Sequence, residues 1–401
     1  MKILSLFDGM ACGALAMQAA GIEIDKYIAY EIDKYAIQTA QHNFPFIEER
    51  GDVFKADFKE YAGFDYLIGG SPCTYWSIAQ TKNRETVASG MGWELFSQYV
   101  RALHEAKPRF FLYENNKSMS AAIRASITET FGFEPILINS ALVSAQNRQR
   151  LYWCGIRQAD GTYKKADIQQ PADRGILLKD ILETNVVTWL EKAYTYTTRC
   201  QGAIIENTLE KHQHTMVAEP ICVNSKSGRA GVEGLQPSLQ DRVYGTNGKC
   251  ATLTTCQGGH REPRVFERIA DPVCVVQRGR YDESGKVYQH YEAQPTGKTN
   301  NLTTVSKDNL IAEPVCVAQR GRYDAPIYEV KDGFITVKGN KYPIKVVDGF
   351  YIIRKLTMRE CMRLQTVPEW YEWPVSKSQA YKMLGNGWTV EVIAHLLRGL
   401  K

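Results

Sequence analysis

The chain has 401 residues, of which 44% are apolar and 23% charged, and its net charge is +5. These values are ordinary for a globular protein, exclude a long disordered chain, and suggest two or three domains. The sequence has no apolar run of the roughly 18 residues that a membrane helix needs, and it reaches Asp8 and Gly9 too early for a signal peptide. We therefore expect a cytoplasmic protein with no membrane partner.

The ten cysteines are spread along the chain and never form a Cys-x-x-Cys pair. Cys250 and Cys256, with His260 nearby, come nearest to a zinc pattern, but they lack the short paired spacing that zinc ligands show. We therefore expect no metal site. In a protein without an export signal we expect reduced thiols, most of them buried as small apolar residues.

The first 157 residues alternate between strand and helix patterns. Short apolar runs predict strands at 3–7, 27–32, 66–69, 110–113, 135–138 and 151–156. Helix formers or helically spaced apolar residues lie between them at 14–20, 34–44, 95–103 and 119–131. This alternation predicts an α/β fold with a Rossmann-like, mostly parallel sheet and helices on both faces.

Residues 158–352 have a different character, with short strand-like fragments and little helical periodicity. A five-residue pattern at 219–223 recurs at 271–275 and 313–317, and the last two copies are both followed by Gln-Arg-Gly-Arg-Tyr-Asp. The spacing is too irregular for a solenoid or propeller. It predicts an inserted, β-rich domain with partial internal duplication. Helical patterns return in 353–401, at 357–365, 376–384 and 390–397.

Several polar residues lie where the predicted strands end. Asp8-Gly9 follows the first strand, Glu31 ends the second, and Asp52 lies in the loop leading to Val53; Ser71-Pro72-Cys73 follows the fourth strand and Glu114-Asn115 the fifth. The carboxyl ends of parallel strands meet at one edge of the sheet, where ligands bind in such folds, and a right-handed crossover would put Cys73 and Glu114 on neighbouring strands. Taken singly, each has an ordinary structural interpretation, as a helix cap, a buried thiol or a solvated carboxylate.

Eight segments, in order, resemble the motifs of DNA (cytosine-5)-methyltransferases. They are LFDGMACG (6–13), Glu31 in YEIDKYAIQ, Asp52 in GDV, GGSPCTYWSIA (69–79), YENN (113–116), QNRQR (146–150), RKLTMRECMRLQ (354–365) and MLGNGWTVEVIAHL (383–396). The resemblance covers about 1–157 and 353–401, which would together form the catalytic domain, with 158–352 as a target-recognition domain.

Three departures from the usual bacterial wording stand out. Ala11-Cys12 replaces Gly-Gly, Asn116 replaces Val, and Gly387-Trp388 replaces Ser-Val. The first, Pro-Cys and last motifs are instead similar to the animal de novo branch. None of the three departures removes a charged or nucleophilic group, so we expect an active enzyme.

The resemblance implies S-adenosylmethionine as the cofactor. Phe7 would contact the adenine (core packing is the alternative), Glu31 would accept from the ribose hydroxyls, and Asp52 from the adenine amino group. The expected cofactor-binding residues are Phe7, Asp8, Gly9, Gly13, Glu31, Asp52, Val53, Pro72, Asn386 and Trp388.

The resemblance also implies covalent catalysis. The expected catalytic residues are Cys73, Glu114, Arg148 and Arg150. Cys73 would add to C6 of cytosine, helped by Arg148, Arg150 or a helix start, because a free thiol is only weakly ionised at neutral pH. Glu114 would hold the N3 and N4 edge of the ring. Arg150 would contact the ring oxygen or a flanking phosphate, and Arg148 would position Glu114 or the backbone.

The target base must leave the duplex, since a stacked cytosine exposes neither face. Residues 74–92 would then form a mobile lid with Ser77 and Arg84 on the DNA, the alternative being an ordinary surface loop. The duplicated segments supply Arg278, Arg280, Arg320 and Arg322, which either contact DNA or sit in a polar turn kept by duplication. Residues 249–261, with Lys249, Thr252, Thr254, Thr255, Gln257 and His260, are a second candidate reading edge.

The expected function is methyl transfer to C5 of a flipped-out cytosine in double-stranded DNA. The setting would be a bacterial or phage-infected cell, either within restriction-modification beside a cognate nuclease or as an orphan enzyme. One alternative is an RNA (cytosine-5) methyltransferase, whose Cys-Phe-Thr segment we do not find. Another is a catalytically inactive DNA-binding homologue, against which the intact Cys73 and Glu114 argue. A nicotinamide dehydrogenase would explain the sheet but not the Pro-Cys motif.

Overall fold

The computed structural model describes residues 1–77, 84–183, 188, 190–196, 204–220, 327–344 and 348–400, and strands at 243–245, 264–266, 273–281, 287–293 and 310–312. The chain divides into two compact units. The first contains Met1–Leu182, Leu190–Met216 and Lys355–Lys401, and the second contains Glu183–Trp189 and Val217–Arg354.

The first unit is an α/β structure. Its strands are β1 (Lys2–Leu6), β2 (Lys26–Tyr30), β3 (Ile47–Glu49), β4 (Tyr66–Gly69), β5 (Phe110–Asn116), β6 (Ile136–Asn139), β7 (Gln149–Arg157) and β8 (Tyr163–Lys165). Its helices are α1 (Cys12–Ala19), α2 (Lys34–Asn43), α3 (Met91–Ala106), α4 (Ala121–Phe131), α5 (Leu178–Ile181), α6 (Ile205–Leu209), α7 (Met358–Leu364), α8 (Lys377–Asn386) and α9 (Val390–Gly399).

The strands of this unit form one sheet in the order β3-β2-β1-β4-β5-β7-β6, with β8 paired to β7. The pairs among β1 to β5 are parallel, whereas β7 runs antiparallel to β5, β6 and β8. The predicted mostly parallel α/β sheet is therefore confirmed. As expected, β4 and β5 are parallel neighbours joined through α3.

Two details of the prediction were wrong. Glu31 does not end the second strand, because β2 stops at Tyr30. Glu114 does not follow the fifth strand but lies inside β5, since pairing with β7 continues as far as Asn116. A strand of three residues, β3, was also missed, because it is too short to show a period.

Helices cover both faces of the sheet, as strand alternation requires. On one face Leu67, Phe111 and Tyr113 join a core with side chains of α3 and α4. On the other face lies α1, where Gly13 packs so closely on the Ile68 and Tyr27 side chains that a Cβ would come within 2.5 Å of each. The buried side of α9 packs against α1. The C-terminal helices therefore belong to the first unit.

The second unit is β-rich in its described residues. Its strands are β9 (Met216–Pro220), β10 (Val243–Gly245), β11 (Arg264–Phe266), β12 (Val273–Tyr281), β13 (Val287–Ala293), β14 (Leu310–Ala312), β15 (Ile327–Lys331), β16 (Phe334–Val337), β17 (Asn340–Pro343) and β18 (Gly349–Lys355). They form the sheets β10-β11, β13-β12-β14 and β17-β16-β15-β18-β9. No described helix of the chain is long and apolar enough to span a membrane.

Candidate active site

Cys73 lies just beyond the carboxyl end of β4, at the start of a 3-10 turn formed by Cys73–Tyr75. Exposed Pro72 precedes it in an extended conformation, and the Cys73 carbonyl accepts from the backbone N–H groups of Trp76 and Ser77. The thiol is partly exposed, whereas Cys12, Cys154 and Cys361, the other cysteines whose side chains the structure describes, are buried. The turn therefore presents Cys73 at the sheet edge.

Glu114 lies in β5, the strand that pairs with β4. Arg150 Nε lies 3.1 Å from its Oε1, and Trp388 Nε1 donates to its Oε2 at 3.0 Å. Gly70, which follows β4 directly, faces it so closely that a Cβ would come within 2.8 Å of both the carbonyl oxygen and Oε2 of Glu114. The Glu114 and Arg150 side chains are 12% and 16% exposed. They are thus largely shielded yet reachable from the sheet edge.

Arg148 is buried, and its side chain donates hydrogen bonds to backbone carbonyl groups. It donates to the carbonyl oxygens of Tyr196 and Gly387 at 2.9 Å and of Gly385 at 3.4 Å. Burial and the Arg150 charge lower the pKa of Arg148 to about 10, an effect that Glu114 and Cys73 oppose. The guanidinium therefore lies within electrostatic range of both Cys73 and Glu114. Its hydrogen bonds fit the backbone-positioning role, one of the two that the sequence suggested.

A buried polar network joins the Cys73 turn to β5. The hydroxyl groups of Ser71 and Tyr113 lie 2.6 Å apart, and Asn115 Nδ2 donates to the Ser71 carbonyl oxygen at 3.2 Å. Asn116, which departs from the family wording, is also buried, and its Oδ1 accepts from Ser118 Oγ at 2.9 Å. Its Nδ2 has no partner among the described residues. The network therefore ties the segment just before Cys73 to the β5 residues on either side of Glu114.

The loop after β1 turns sharply through left-handed backbone conformations at Phe7 (φ 58°), Gly9 (φ 61°) and Ala11 (φ 61°). The Phe7 N–H donates to the Tyr30 carbonyl oxygen at 2.8 Å, which ties the loop to the end of β2. Nothing lies within 4 Å of the position that a Cβ would take at Gly9. The space beside Gly9 is open, as a ligand that approaches the backbone requires.

Asp8 is buried under this loop. Tyr27 donates to its Oδ1 at 2.6 Å and Ser5 donates to the same atom, while Oδ2 has no partner among the described residues. Burial raises the pKa of Asp8 to about 6, with a contribution from Glu31 that the two hydrogen bonds oppose. An unpartnered, buried carboxylate oxygen is suited to a cationic or donor group of a ligand.

Glu31 and Asp52 both hold backbone N–H groups. Glu31 Oε2 accepts from Gly9 at 2.9 Å, and Oε1 accepts from the next two residues of its own chain. Asp52 Oδ1 caps a 3-10 turn by accepting from Phe54 at 3.0 Å, next to buried Val53. Each carboxylate keeps an acceptor site beyond these bonds. Both follow parallel strands at the edge where Asp8 lies.

Glu49 belongs to the same neighbourhood, although no pattern in the sequence marks it. It lies at the end of β3 in register with Ala29 of β2, which is in register with Ser5 of β1. Both carboxylate oxygens are buried without a partner among the described residues. Burial, together with Asp8 and Glu31, raises the pKa of Glu49 to about 8. Only the recognition of β3 could have revealed this residue.

The C-terminal segment returns to this edge. Helix α8 runs through Gly385 to the exposed Asn386, beyond its predicted end. A Cβ at Gly387 would lie 3.1 Å from Cys12 Sγ, and that thiol lies 3.9 Å from the Trp388 carbonyl oxygen, to which it donates. Two of the departures from the usual wording, at positions 12 and 388, are therefore in contact.

Only some of the residues that we expect to contact DNA lie in the described part of the chain. Arg84 donates to the carbonyl oxygens of Trp76 at 3.1 Å and Ser118 at 2.7 Å, so its guanidinium connects the start of the 74–92 loop to the segment after β5. The Ser77 N–H donates to the Cys73 carbonyl oxygen at 2.9 Å. Arg278 and Arg280 lie in β12, opposite β13. Arg320, Arg322 and the 249–261 segment lie outside the described residues.

The described residues contain no group of three or more His, Cys, Asp or Glu side chains placed to hold a metal ion.

Comparison with known proteins supplies the family. The family model for C-5 cytosine-specific DNA methylase matches residues 1–401. "Orphan methyltransferase M.SPRI" of Bacillus phage SPR is 27% identical, covering 100% of this chain and 97% of the relative. "Orphan methyltransferase M.SPBetaI" of Bacillus phage SPbeta is 25% identical, with coverage of 100% and 97%. The crystal structure of S. pombe Dnmt2 methyltransferase is 14% identical, with a TM-score of 0.46 and coverage of 100% and 98%.

Proposed function

The chain belongs to the C-5 cytosine-specific DNA methylase family, and from that premise we propose that it methylates C5 of a flipped-out cytosine in double-stranded DNA, with Cys73 bonded covalently to C6 during the reaction. By its family the chain is a DNA (cytosine-5-)-methyltransferase. The methyl donor in this proposal is S-adenosylmethionine.

The observation that carries the proposed mechanism is the contrast among the thiols. Burial raises the pKa of Cys12 to about 12 and also raises that of Cys154, which disfavours the thiolate form that a nucleophile needs. Cys73 is partly exposed at the end of β4, beside the strand that carries Glu114. Among the cysteines whose side chains the structure describes, Cys73 is thus the one suited to attack an external base.

The residues at the sheet edge fit S-adenosylmethionine. The open space at Gly9 admits a ligand close to the backbone, and the unpartnered Asp8 Oδ2 suits the ammonium group of the methionine portion. Glu31 would accept from the ribose hydroxyls and Asp52 from the adenine amino group, with Phe7, Gly13, Val53, Pro72, Asn386 and Trp388 around them. The bound cofactor supplies an electrophilic methyl group on a sulfonium.

The chain's own residues would activate the base. Cys73 Sγ adds to C6, which breaks the C5–C6 double bond and makes C5 nucleophilic. Glu114 would take up a proton when the base binds, face the N3 and N4 edge, deliver the proton to N3 as the thiolate adds, and take it back when the thiolate leaves. Arg150, which holds Glu114 Oε1, would reach the ring oxygen or a flanking phosphate. Once C5 carries the methyl group, loss of its proton to a base restores the double bond and expels the Cys73 thiolate.

Access to the base would require extrusion from the duplex, which costs a few kcal/mol. Ser77 and Arg84 belong to the loop that we propose as the lid over the extruded base. Base recognition is assigned to 158–352, with Arg278, Arg280, Arg320 and Arg322 as candidate contacts. Since both phage relatives carry the word orphan in their names, we propose that this enzyme also acts in the cytoplasm without a partner nuclease.

Expression in a bacterium without cytosine methylation, followed by base-resolution sequencing of its DNA, tests the proposal. We expect 5-methylcytosine in one sequence context with the wild type and none with Cys73→Ala. Unmethylated DNA together with new 5-methylcytosine in cellular RNA would favour the RNA methyltransferase instead. Unmethylated DNA and RNA, with DNA binding retained, would favour an inactive homologue.

A further inference from the structure

Glu114 is held by two N–H donors that come from different segments of the chain. Arg150 Nε engages Oε1 at 3.1 Å from the neighbouring strand β7, and Trp388 Nε1 donates to Oε2 at 3.0 Å from the C-terminal segment. A carboxylate that accepts one donor on each oxygen has its plane fixed, because rotation about the bond to the carboxyl carbon would break both hydrogen bonds. The wall formed by Gly70, which admits no Cβ, keeps the group in this place.

Trp388 is itself fixed by the other half of the site. Its carbonyl oxygen accepts from Cys12 Sγ at 3.9 Å, at the start of the helix that follows the cofactor loop. The residue before it, Gly387, has its carbonyl oxygen bound to Arg148 at 2.9 Å. Trp388 thus contacts Cys12 through its backbone carbonyl group and Glu114 through its side chain.

We infer that Trp388 is a positioning residue for Glu114, and that through it the geometry of the cofactor loop sets the orientation of the carboxyl group that meets the target cytosine. The inference rests on the proposed function and extends it, because it gives Trp388 a part in base activation besides its place beside the cofactor.

Substitution of Trp388 by Phe keeps an aromatic ring but removes the N–H donor. Hydrogen bonds to charged groups are among the stronger ones, so kcat should fall by about 10- to 100-fold. KM for S-adenosylmethionine should change less than about threefold, because the ring is retained. Trp370→Phe is the matched control, since Trp370 is exposed and packs against Phe44 and Tyr371. It should leave both constants unchanged.

An increase in KM with an unchanged kcat would overturn the inference, because Trp388 would then serve the cofactor alone. If neither the wild type nor Trp370→Phe had methyltransferase activity, the proposed function itself would be wrong. Failure of the inference and failure of the proposed function therefore give different results.

A second measurement needs no activity. In protein labelled with ¹⁵N at tryptophan, the indole N–H resonance that is absent from Trp388→Phe should move in Glu114→Ala and stay in place in Glu134→Ala, because Glu134 is exposed and pairs with Arg124. If Trp388→Phe fails to fold, one indole resonance should still respond to Glu114→Ala and not to Glu134→Ala. An indole spectrum that is the same in wild type and Glu114→Ala would overturn the inference.

Discussion

Arg148 and Gly387 are joined by a hydrogen bond of 2.9 Å across 239 positions of the chain. The same guanidinium group holds the carbonyl oxygens of Tyr196 and Gly385. Arg148 therefore holds the C-terminal segment at the sheet edge through hydrogen bonds. Its removal would leave buried carbonyl groups without a charged donor.

We predict that Arg148→Met lowers the free energy of unfolding by about 2–4 kcal/mol, because buried acceptors lose their partner. Arg124→Met, the control, should lower it by less than about 0.5 kcal/mol, since Arg124 and its partner Glu134 are exposed. Urea denaturation followed by tryptophan fluorescence measures both. Equal values for the two variants would show that Arg148 does not fasten the segment.

Glu49 should make the stability of the protein depend on pH. In the unfolded chain its carboxyl group ionises near its ordinary pKa of 4.5, whereas burial raises the pKa in the folded protein to about 8. Between these values the folded state binds more protons than the unfolded state, so the free energy of unfolding falls as pH rises. Asp8, with a folded pKa of about 6 against an ordinary 3.8, acts in the same direction at lower pH.

We therefore predict that Glu49→Gln is close to neutral at pH 5 and stabilises the protein at pH 9 by about 1–3 kcal/mol, a range reduced for the partial exposure of the residue. Glu48→Gln is the control, because Glu48 is exposed and pairs with Lys26 and Arg50. Thermal or urea denaturation across this pH range gives the result. A stabilisation of Glu49→Gln that is the same at pH 5 and pH 9 would contradict the prediction.

Cofactor affinity should depend on Glu31 and Asp52. Each carboxylate has an acceptor site beyond its backbone partners, and we expect Glu31→Ala and Asp52→Ala each to weaken S-adenosylmethionine binding by about 10- to 100-fold, as loss of a charged acceptor does. Calorimetric titration measures the affinity, and circular dichroism checks that the chain is folded. Glu48→Ala should bind normally. Unchanged affinity in both variants would place the cofactor elsewhere.

The arginines of the duplicated segments should separate base reading from general DNA binding. If Arg278 and Arg280, or Arg320 and Arg322, bind a guanine, the double Ala variant should lose about 1–3 kcal/mol of DNA-binding free energy. It should also discriminate less between bases at one position of the target site. If they bind phosphate, the affinity for all DNA sequences should fall by a similar factor, and the affinity should depend less on salt concentration. Wild-type rates and site preference in both variants would make the duplicated segments scaffold, and 249–261 would become the candidate reading edge.

The sheet was predictable because buried parallel strands leave apolar runs, and strands such as Tyr66–Gly69 were found at their true bounds. Strand ends also located Asp8, Cys73 and their neighbours near one edge. The antiparallel direction of β7 was not predictable, because strand direction leaves no mark on a run of apolar residues.

The contacts between distant segments were also beyond reach from the sequence. The hydrogen bond from Trp388 to Glu114 joins residues 274 positions apart, and neither residue type demands the other as its partner. The burial of Glu49 depends on the pairing of β3 with β2, which places it in register with Ala29, and only the folded sheet determines that register.

The central claim, that Cys73 forms the covalent bond to the base, is tested most directly with DNA that carries 5-fluorocytosine at the target position. Fluorine at C5 cannot leave as a proton does, so the enzyme should remain attached to the DNA after methyl transfer. On a denaturing gel we expect a shifted band for the wild type and for Cys361→Ala, and none for Cys73→Ala. A shifted band that persists in Cys73→Ala would contradict the account, because another thiol would then be the nucleophile.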